Sequence, residues 1–305
     1  MLQSKASILA SSKVPYEGIE LWHDRLAHTA CSTIETMIST DLVDGIKVKG
    51  KADTIECESC CEGKMTRGPF KGANDSATMI GAITHSDLVG PLPKTRGGKR
   101  YMASFIDEKC RGAKIALLQK KSGTKIAFAA YQTKFEREND CKLKALRSDQ
   151  GGEYTAMKPY LEEQGIELQF SAAYCPESSG LAERFNRTIL DMVRSMLTQS
   201  GLDEEFWGEA AVYATYIKER IVTKTADGNK KSPFERRTGK KPSVKNFKVF
   251  GCLAMVHMVR AQRKSKLGSR GWSGIFLGLS ENGLFKVLNT NTGKLHVVRN
   301  VRFDE

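Results

Sequence analysis

With 305 residues, the chain is long enough for a full enzymatic core with smaller modules beside it, and even its apolar stretch Cys252–Val259 is only 8 residues long and includes His257, well short of the ~18 that a membrane-spanning helix needs. The formal net charge is +13, but residues 1–220 are balanced at 30 Lys and Arg against 30 Asp and Glu while residues 221–305 carry 18 against 5, so the whole surplus is C-terminal and suits a polyanion, nucleic acid ahead of anionic membrane. The first 20 residues hold no apolar run beyond Ile8-Leu9-Ala10, too short for a secretory signal, so composition excludes an exported or membrane-embedded protein and predicts an intracellular one, in cytoplasm and nucleus, with no membrane partner.

Taken in chain order, the segment to about residue 70 reads as short helices over Leu21–His28 and Ser32–Ile38, a turn at Asp44-Gly45 and a cysteine-rich knot, a module small enough to need a staple. Strand formers follow over Met79–Leu88, Arg100–Asp107 and Lys114–Gln119, with a turn at Gly97-Gly98. Ile126, Ala129, Ala130 and Phe135 are spaced for one helix face, with Ser122 as its N-cap, and a strand over Leu143–Arg147 ends just before Asp149. A short helix near Tyr160–Gln164, a strand at Ile166–Phe170 and a loop from Cys175 to Gly180 lead into a long helix. Its core stripe is Leu181, Phe185, Ile189, Met192 and Met196, which leaves Glu183, Arg187 and Arg194 on another face. A further helix spans Glu204–Arg220, residues 221–246 read as a linker, and strands over Val249–Val259, Gly274–Leu279, Leu284–Leu288 and Leu295–Val301 make a small basic β domain. Strands first and alternating helices and strands later imply a mixed sheet.

Eight cysteines without an export signal read as reduced thiols and metal ligands. His23 and His28 have four residues between them, Cys57 and Cys60 have two, and 28 residues part the pairs. Two imidazoles on a shared helical face and two thiolates on a Cys-x-x-Cys turn form a closed tetrahedral set for one structural zinc ion. Cys61 adjoins Cys60 and is an alternative ligand, with spacing favouring Cys60.

Three acidic residues stand in distinctive surroundings: Asp87 in His85-Ser86-Asp87-Leu88, Asp149 in Ser148-Asp149-Gln150-Gly151-Gly152-Glu153-Tyr154, and Glu183 in Gly180-Leu181-Ala182-Glu183-Arg184. Each alone is a weak signal, since a lone carboxylate is usually a solvated surface group. With Leu21-Trp22-His23 through His28, Cys57–Lys64, His85–Pro91, Asn186-Arg187-Thr188, Val249-Phe250-Gly251-Cys252 and Phe276-Leu277-Gly278, nearly the whole chain resembles the integrase region of copia-type LTR retrotransposon Pol polyproteins.

That resemblance implies an α/β, ribonuclease H-like core with a mixed five-stranded sheet flanked by helices. A small helical zinc-binding module precedes it and a small basic β-rich domain follows. The expected boundaries are 1–72 for the zinc module, 76–222 for the catalytic core, 223–247 for a basic linker and 248–305 for the C-terminal domain. The resemblance further implies Asp87, Asp149 and Glu183 as an acidic triad holding two magnesium or manganese ions, and His23, His28, Cys57 and Cys60 as the zinc ligands. The expected activity is strand transfer, in which a 3′-hydroxyl of element DNA attacks a target phosphodiester. The partners are double-stranded DNA, both element termini and target, and further copies of the chain. Lacking a protease or reverse transcriptase region, the chain reads as one segment of a longer polyprotein.

Gln150 and Ser178-Ser179 depart from the family pattern, and the 33 residues between Asp149 and Glu183 are fewer than usual. The shortfall is placed in the Thr155–Pro159 loop. A second reading is therefore kept: a degenerate or repurposed remnant that binds DNA through its zinc and basic modules without joining it. Arg184, Arg187 and Arg194 on the glutamate helix are candidate phosphate contacts. Arg260, Arg263, Lys264, Lys266 and Arg270 fall within 11 residues, dense enough for DNA backbone binding or nuclear import.

Overall fold

The computed structural model describes residues 18–46, 48, 57–64, 77–170, 176–224, 230–260, 263, 265 and 267–305. Three short helices open the chain, α1 (Ile19–Arg25), α2 (Cys31–Ser39) and α3 (Glu58–Lys64). Trp22, Leu26, Ile34 and Met37 are buried, which is the apolar side of a module with little other core of its own.

The central sheet contains β1 (Ile83–Val89), β2 (Tyr101–Asp107) and β3 (Ala113–Leu118) as an antiparallel meander. After α4 (Thr124–Asn139) the chain returns as β4 (Ala145–Ser148), then passes through α5 (Gly152–Thr155) and α6 (Lys158–Glu163) to β5 (Glu167–Phe170). The strand order is β3-β2-β1-β4-β5, with β4 parallel to β1 and β5 parallel to β4. This is the mixed ribonuclease H-like sheet expected. Two helices cover one face, α7 (Pro176–Ser200) and α8 (Trp207–Lys218). Side chains alternate across a strand, so Met102 and Ile106 of β2 pack toward α7 and α8 while Ala103 and Phe105 pack with Phe128, Tyr131 and Phe135 of α4. Burial on both faces is why β2 reads as a nearly continuous apolar run.

Several local expectations give way to packing. Lys121–Gly123 forms a 3-10 turn, so Ser122 is not the cap of α4, and no side-chain cap bond is made there. Ile126 is 77% exposed, because α4 turns its aromatic side chains inward and burying Phe128, Tyr131 and Phe135 removes more apolar area from water. The long helix already begins at Pro176, where a loop was expected up to Gly180; proline fits a first helical turn because the N–H it lacks would have no partner. Cys175 lies outside the described residues.

The stretch read as a linker is ordered where it is described. A two-stranded ribbon, β6 (Thr223–Lys224) with β7 (Lys230–Lys231), leads to α9 (Pro233–Thr238), and Ser232 caps it by accepting from Glu235 N at 3.1 Å. Arg237 pairs with Glu138 at 2.9 Å and Glu219 at 3.2 Å, and Val244 and Phe247 are buried. High Lys, Gly and Ser content hid these anchors.

The last domain is a five-stranded antiparallel sheet in the order β11-β10-β9-β8-β12, built from β8 (Leu253–His257), β9 (Gly271–Leu279), β10 (Phe285–Asn289), β11 (Leu295–Val298) and β12 (Val301–Asp304). The single strand expected over Leu295–Val301 is two strands at opposite edges, joined by Arg299-Asn300 alone. Two residues span at most ~7 Å of extra chain, so the sheet must curl until its edges approach, as in a small barrel. Tyr213 of α8 ties this barrel to the core. Its hydroxyl donates to Lys248 O at 2.8 Å and accepts from Lys248 N at 3.0 Å, and its ring packs against Phe247, Phe250 and Phe276.

A second tie joins the first and last elements. The Glu305 carboxylate accepts from Arg25 Nε at 3.0 Å, Lys248 Nζ at 2.7 Å and Val249 N at 2.9 Å. Burial pushes this carboxyl up, but hydrogen bonds and charges from Arg25 and Lys248 outweigh burial and leave its pKa lowered. Glu305→Gln is therefore expected to cost about 1–3 kcal/mol at neutral pH. A lowered folded pKa contributes stability above the unfolded value of about 4.3 and loses it as pH falls through the folded value. Thermal melts at pH 7 and pH 3 check this: the gap between wild type and variant should narrow in acid, and an equal gap at both would contradict the assignment.

Candidate catalytic and metal centres

Asp87 sits on the central strand, on the face turned to α7. The parallel pairing of Thr84 with Leu146 and His85 with Arg147 brings Asp149, just beyond the end of β4, alongside Asp87. Glu183 comes from α7, whose Asn186 lies three residues on, on the same side of the helix. Asn186 Nδ2 donates to Asp87 Oδ2 at 2.9 Å, and Leu88 N donates to Asp87 Oδ1 at 2.8 Å. Asp87 is therefore fixed by its own strand and by the glutamate helix together.

Burial raises the Asp87 pKa; the bonds from Asn186 and Leu88 lower it, while the neighbouring charges of Asp149 and Glu183 raise it further. Glu183, Arg184 and Arg187 are all exposed. The Asp149 carboxylate accepts from Gly151 N at 3.1 Å, and a Cβ on Gly151 would lie 3.1 Å from the same oxygen. Gly151 thus lets the backbone turn close against the acid. Among the described residues, the three carboxylates do not converge on one point as the histidine and cysteine atoms do. They make an open, like-charged, oxygen-donor site, the kind that hard divalent cations relieve.

Beside Asp87 on β1 lies a buried polar network that sequence reading missed. His85 Nε2 is 2.7 Å from Glu108 Oε2, which also accepts from Arg147 Nη1 at 3.3 Å, and Arg147 Nη2 reaches Gln169 Oε1 at 3.0 Å. It ties the strands of Asp87 and Asp149 to each other two residues before each acid. Asn186 was missed as a partner of Asp87 as well, having entered only within the family-matching stretch Asn186-Arg187-Thr188. It is 3% exposed, and its position one turn after the glutamate was the available signal.

The second centre is formed by His23, His28, Cys57 and Cys60, whose candidate ligand atoms all lie within 4.8 Å of one another. His28 does not share a helical face with His23, as the sequence reading had it. Five residues of regular helix would set the two side chains ~140° apart. Instead α1 stops at Arg25, and Ala27 and His28 adopt left-handed φ of 51° and 61°. Such backbone is uncommon outside glycine and concentrates where function demands it. The reversal lets His28 N donate to His23 O at 2.7 Å and places His28 Nδ1 3.2 Å from His23 Nε2. Cys57 Sγ lies 3.4 Å from His28 Nδ1, and Cys60 Sγ 3.3 Å from His23 Nε2.

A tetrahedral zinc ion with the usual bond lengths needs N···N of about 3.3 Å and N···S of about 3.5 Å. The donor set therefore fits zinc in both chemistry and spacing, and these four residues could hold it. Burial pushes the His28 imidazole down to about 3 and the Cys60 thiol up to about 11. The rings are thus neutral, with a lone pair to give, and the Cys60 thiol needs a cation to become a thiolate. Cys61 is exposed and outside the cluster.

The candidate DNA contacts divide. Arg194 of α7 donates to Gly63 O at 2.6 Å and pairs with Asp191, holding α3, while its side chain remains 55% exposed. Arg260, Arg263 and Arg270 line one concavity of about 510 Å³ with Ser265. Lys264 and Lys266 lie outside the described residues. No helix of the described residues is long and apolar enough to cross a membrane.

Comparison with known proteins bears on both ends of the chain. Residues 2–65 match the GAG-pre-integrase domain and residues 252–305 the retroviral polymerase SH3-like domain. The chain is 33% identical over 268 residues to the retrovirus-related Pol polyprotein from transposon TNT 1-94 of Nicotiana tabacum, covering 87% of this chain and 20% of that one. It is 28% identical over 296 residues to the corresponding polyprotein from transposon RE1 of Arabidopsis thaliana, covering 97% and 20%. This chain thus spans about one fifth of the length of these curated relatives. Among solved structures, the HTLV-2 integrase catalytic core domain in complex with magnesium (trimeric form) is similar at 15% identity and a TM-score of 0.40, over 52% of this chain and 98% of that one.

Proposed function

The chain is an integrase-like region of the copia-type retrotransposon Pol kind, and from that premise we propose that it catalyses divalent-metal-dependent DNA strand transfer with Asp87, Asp149 and Glu183. The observation that carries this reading is the bond from Asn186 to Asp87, which ties the helix bearing Glu183 to the strand bearing Asp87, while Asp149 lies just past the end of the neighbouring strand β4. Asp87, Asp149 and Glu183 would hold the divalent ions. Magnesium or manganese ions bound there would sharpen the attacking 3′-hydroxyl and stabilise the leaving oxygen of an in-line displacement.

The protein's own part is positional. Asn186 and Leu88 fix the orientation of Asp87, Gly151 holds Asp149, and the His85–Glu108–Arg147 network keeps the two strands in register. In the displacement, the hydroxyl oxygen forms a new bond to the target phosphorus as the existing P–O3′ bond breaks, and no protein atom becomes covalently attached.

Double-stranded DNA, element ends and target alike, is the substrate, and further copies of the chain are partners, as the resemblance implies. Arg184 and Arg187 beside Glu183, and the arginine-lined concavity at Arg260, Arg263 and Arg270, are the proposed phosphate contacts; they position DNA without reading its sequence. One zinc ion would staple the N-terminal module, 1–72, internally through His23, His28, Cys57 and Cys60, beside a core taken as 76–222. Binding to DNA places part of the protein's working life in the nucleus. Incubating the full chain with terminal-repeat ends and a target duplex in magnesium tests the proposal: joined product supports it, and binding without joining counts against it.

A further inference from the structure

A histidine ligates zinc as the neutral ring, with one nitrogen on the metal and the other N–H held by an acceptor that fixes tautomer and orientation. His23 finds that acceptor inside its own module, its Nδ1 lying 2.7 Å from Thr29 O. His28 does not. Its Nε2 lies 3.1 Å from Oε1 of Gln199, in the last turn of α7 and 171 residues away. Gln199 also hydrogen-bonds the Asp24 side chain. An ionised carboxylate only accepts, so the amide NH₂ is turned to Asp24 and the carbonyl oxygen to His28.

The same helix seats the cysteine side of the cluster. Ser195 Oγ donates to Ser59 O at 3.2 Å and Arg194 Nη1 to Gly63 O at 2.6 Å. A Cβ on Gly63 would lie 2.6 Å from Ser195 Oγ, so glycine is what allows α3 to approach. Lys64 Nζ then reaches back to His28 O.

We propose that Gln199 is a positioning residue of the zinc centre: the catalytic helix, which carries Glu183 near its other end, supplies the outer partner that fixes the ligating form of His28. The inference rests on the reading that the histidine–cysteine cluster holds zinc. Metal affinity of the N-terminal module then depends on its docking against α7, and by linkage bound zinc protects the C-terminal turns of α7.

The test titrates zinc against a chromophoric chelator in the full chain as wild type, Gln199→Ala, and the paired variant Gln199→Glu with Asp24→Asn. Loss of the acceptor in Gln199→Ala should weaken zinc about 10–100-fold. The paired variant keeps an acceptor oxygen for His28 and an amide facing a carboxylate between positions 24 and 199, so it should stay close to wild type. Amide exchange in the last turns of α7 should slow on adding zinc to wild type and respond less in Gln199→Ala. A wild type that takes up no zinc would overturn the reading of the cluster itself. Tight zinc in wild type with equal affinity in Gln199→Ala would overturn the inference alone, as would equal weakening in both variants.

Discussion

Asp87→Asn should lower strand joining by at least about 10³-fold, equivalent to several kcal/mol of transition-state stabilisation, while zinc content and DNA binding stay at wild-type levels. The asparagine has the same shape, so the contacts from Leu88 and Asn186 can adjust by an amide rotation. What it lacks is the charge. Burial and the neighbouring acids already disfavour an ionised Asp87, so the substitution relieves strain in the metal-free fold even as it removes the proposed ligand charge. Stability and activity should therefore move in opposite directions, with an unchanged or raised melting temperature and lost joining. A variant that is inactive because it is unfolded would contradict this account, as would one that still joins DNA. Single-turnover joining assays beside thermal melts separate these outcomes.

Removing zinc should have the other large effect. Structural zinc sites contribute on the order of 10–16 kcal/mol of apparent binding energy at neutral pH, more than a module with three short helices can supply otherwise. A strong chelator, or His28→Ala, should release α1, α2 and α3 and expose Trp22, Leu26, Ile34 and Met37, all buried in the intact structure. The left-handed turn at Ala27 and His28 is held against its own conformational preference and should relax. Hydrogen exchange checks this by segment: protection falls across residues 18–64 while β1, β2 and β4 keep theirs. Unchanged protection in 18–64 after chelation would mean that packing against α7 alone holds the module.

Much of this was legible from residue order. The meander, the α4–β4 return and the long helix follow from alternation and helical spacing, and the turn at Gly98 has the left-handed φ of 76° that its glycine permits. The histidine–cysteine set was readable because ligand identity and spacing are local. What spacing could not give was the left-handed reversal that joins His23 to His28: the shared helical face first expected does not exist, because five residues of regular helix put those rings on different sides. Nor could composition reveal that Lys- and Ser-rich residues 230–247 pack through Ser232, Arg237, Val244 and Phe247, because four anchors do not change an average. The break between β11 and β12 was hidden for another reason: Leu295–Val301 has strand character throughout, and only barrel closure sends its halves to opposite edges. Partners far apart in sequence, such as Gln199 with His28, carry no local signature and emerge only when α7 is laid against the N-terminal module.

The most direct measurement is magnesium-dependent strand transfer on oligonucleotides with terminal-repeat ends, run in parallel for wild type and Glu183→Gln. Both proteins are first shown to be folded, zinc-loaded and able to bind DNA. Joined product from wild type, absent without divalent metal and absent from Glu183→Gln, is the predicted result. No product from a folded, zinc-loaded, DNA-binding wild type would contradict it and leave a protein that holds DNA without joining it.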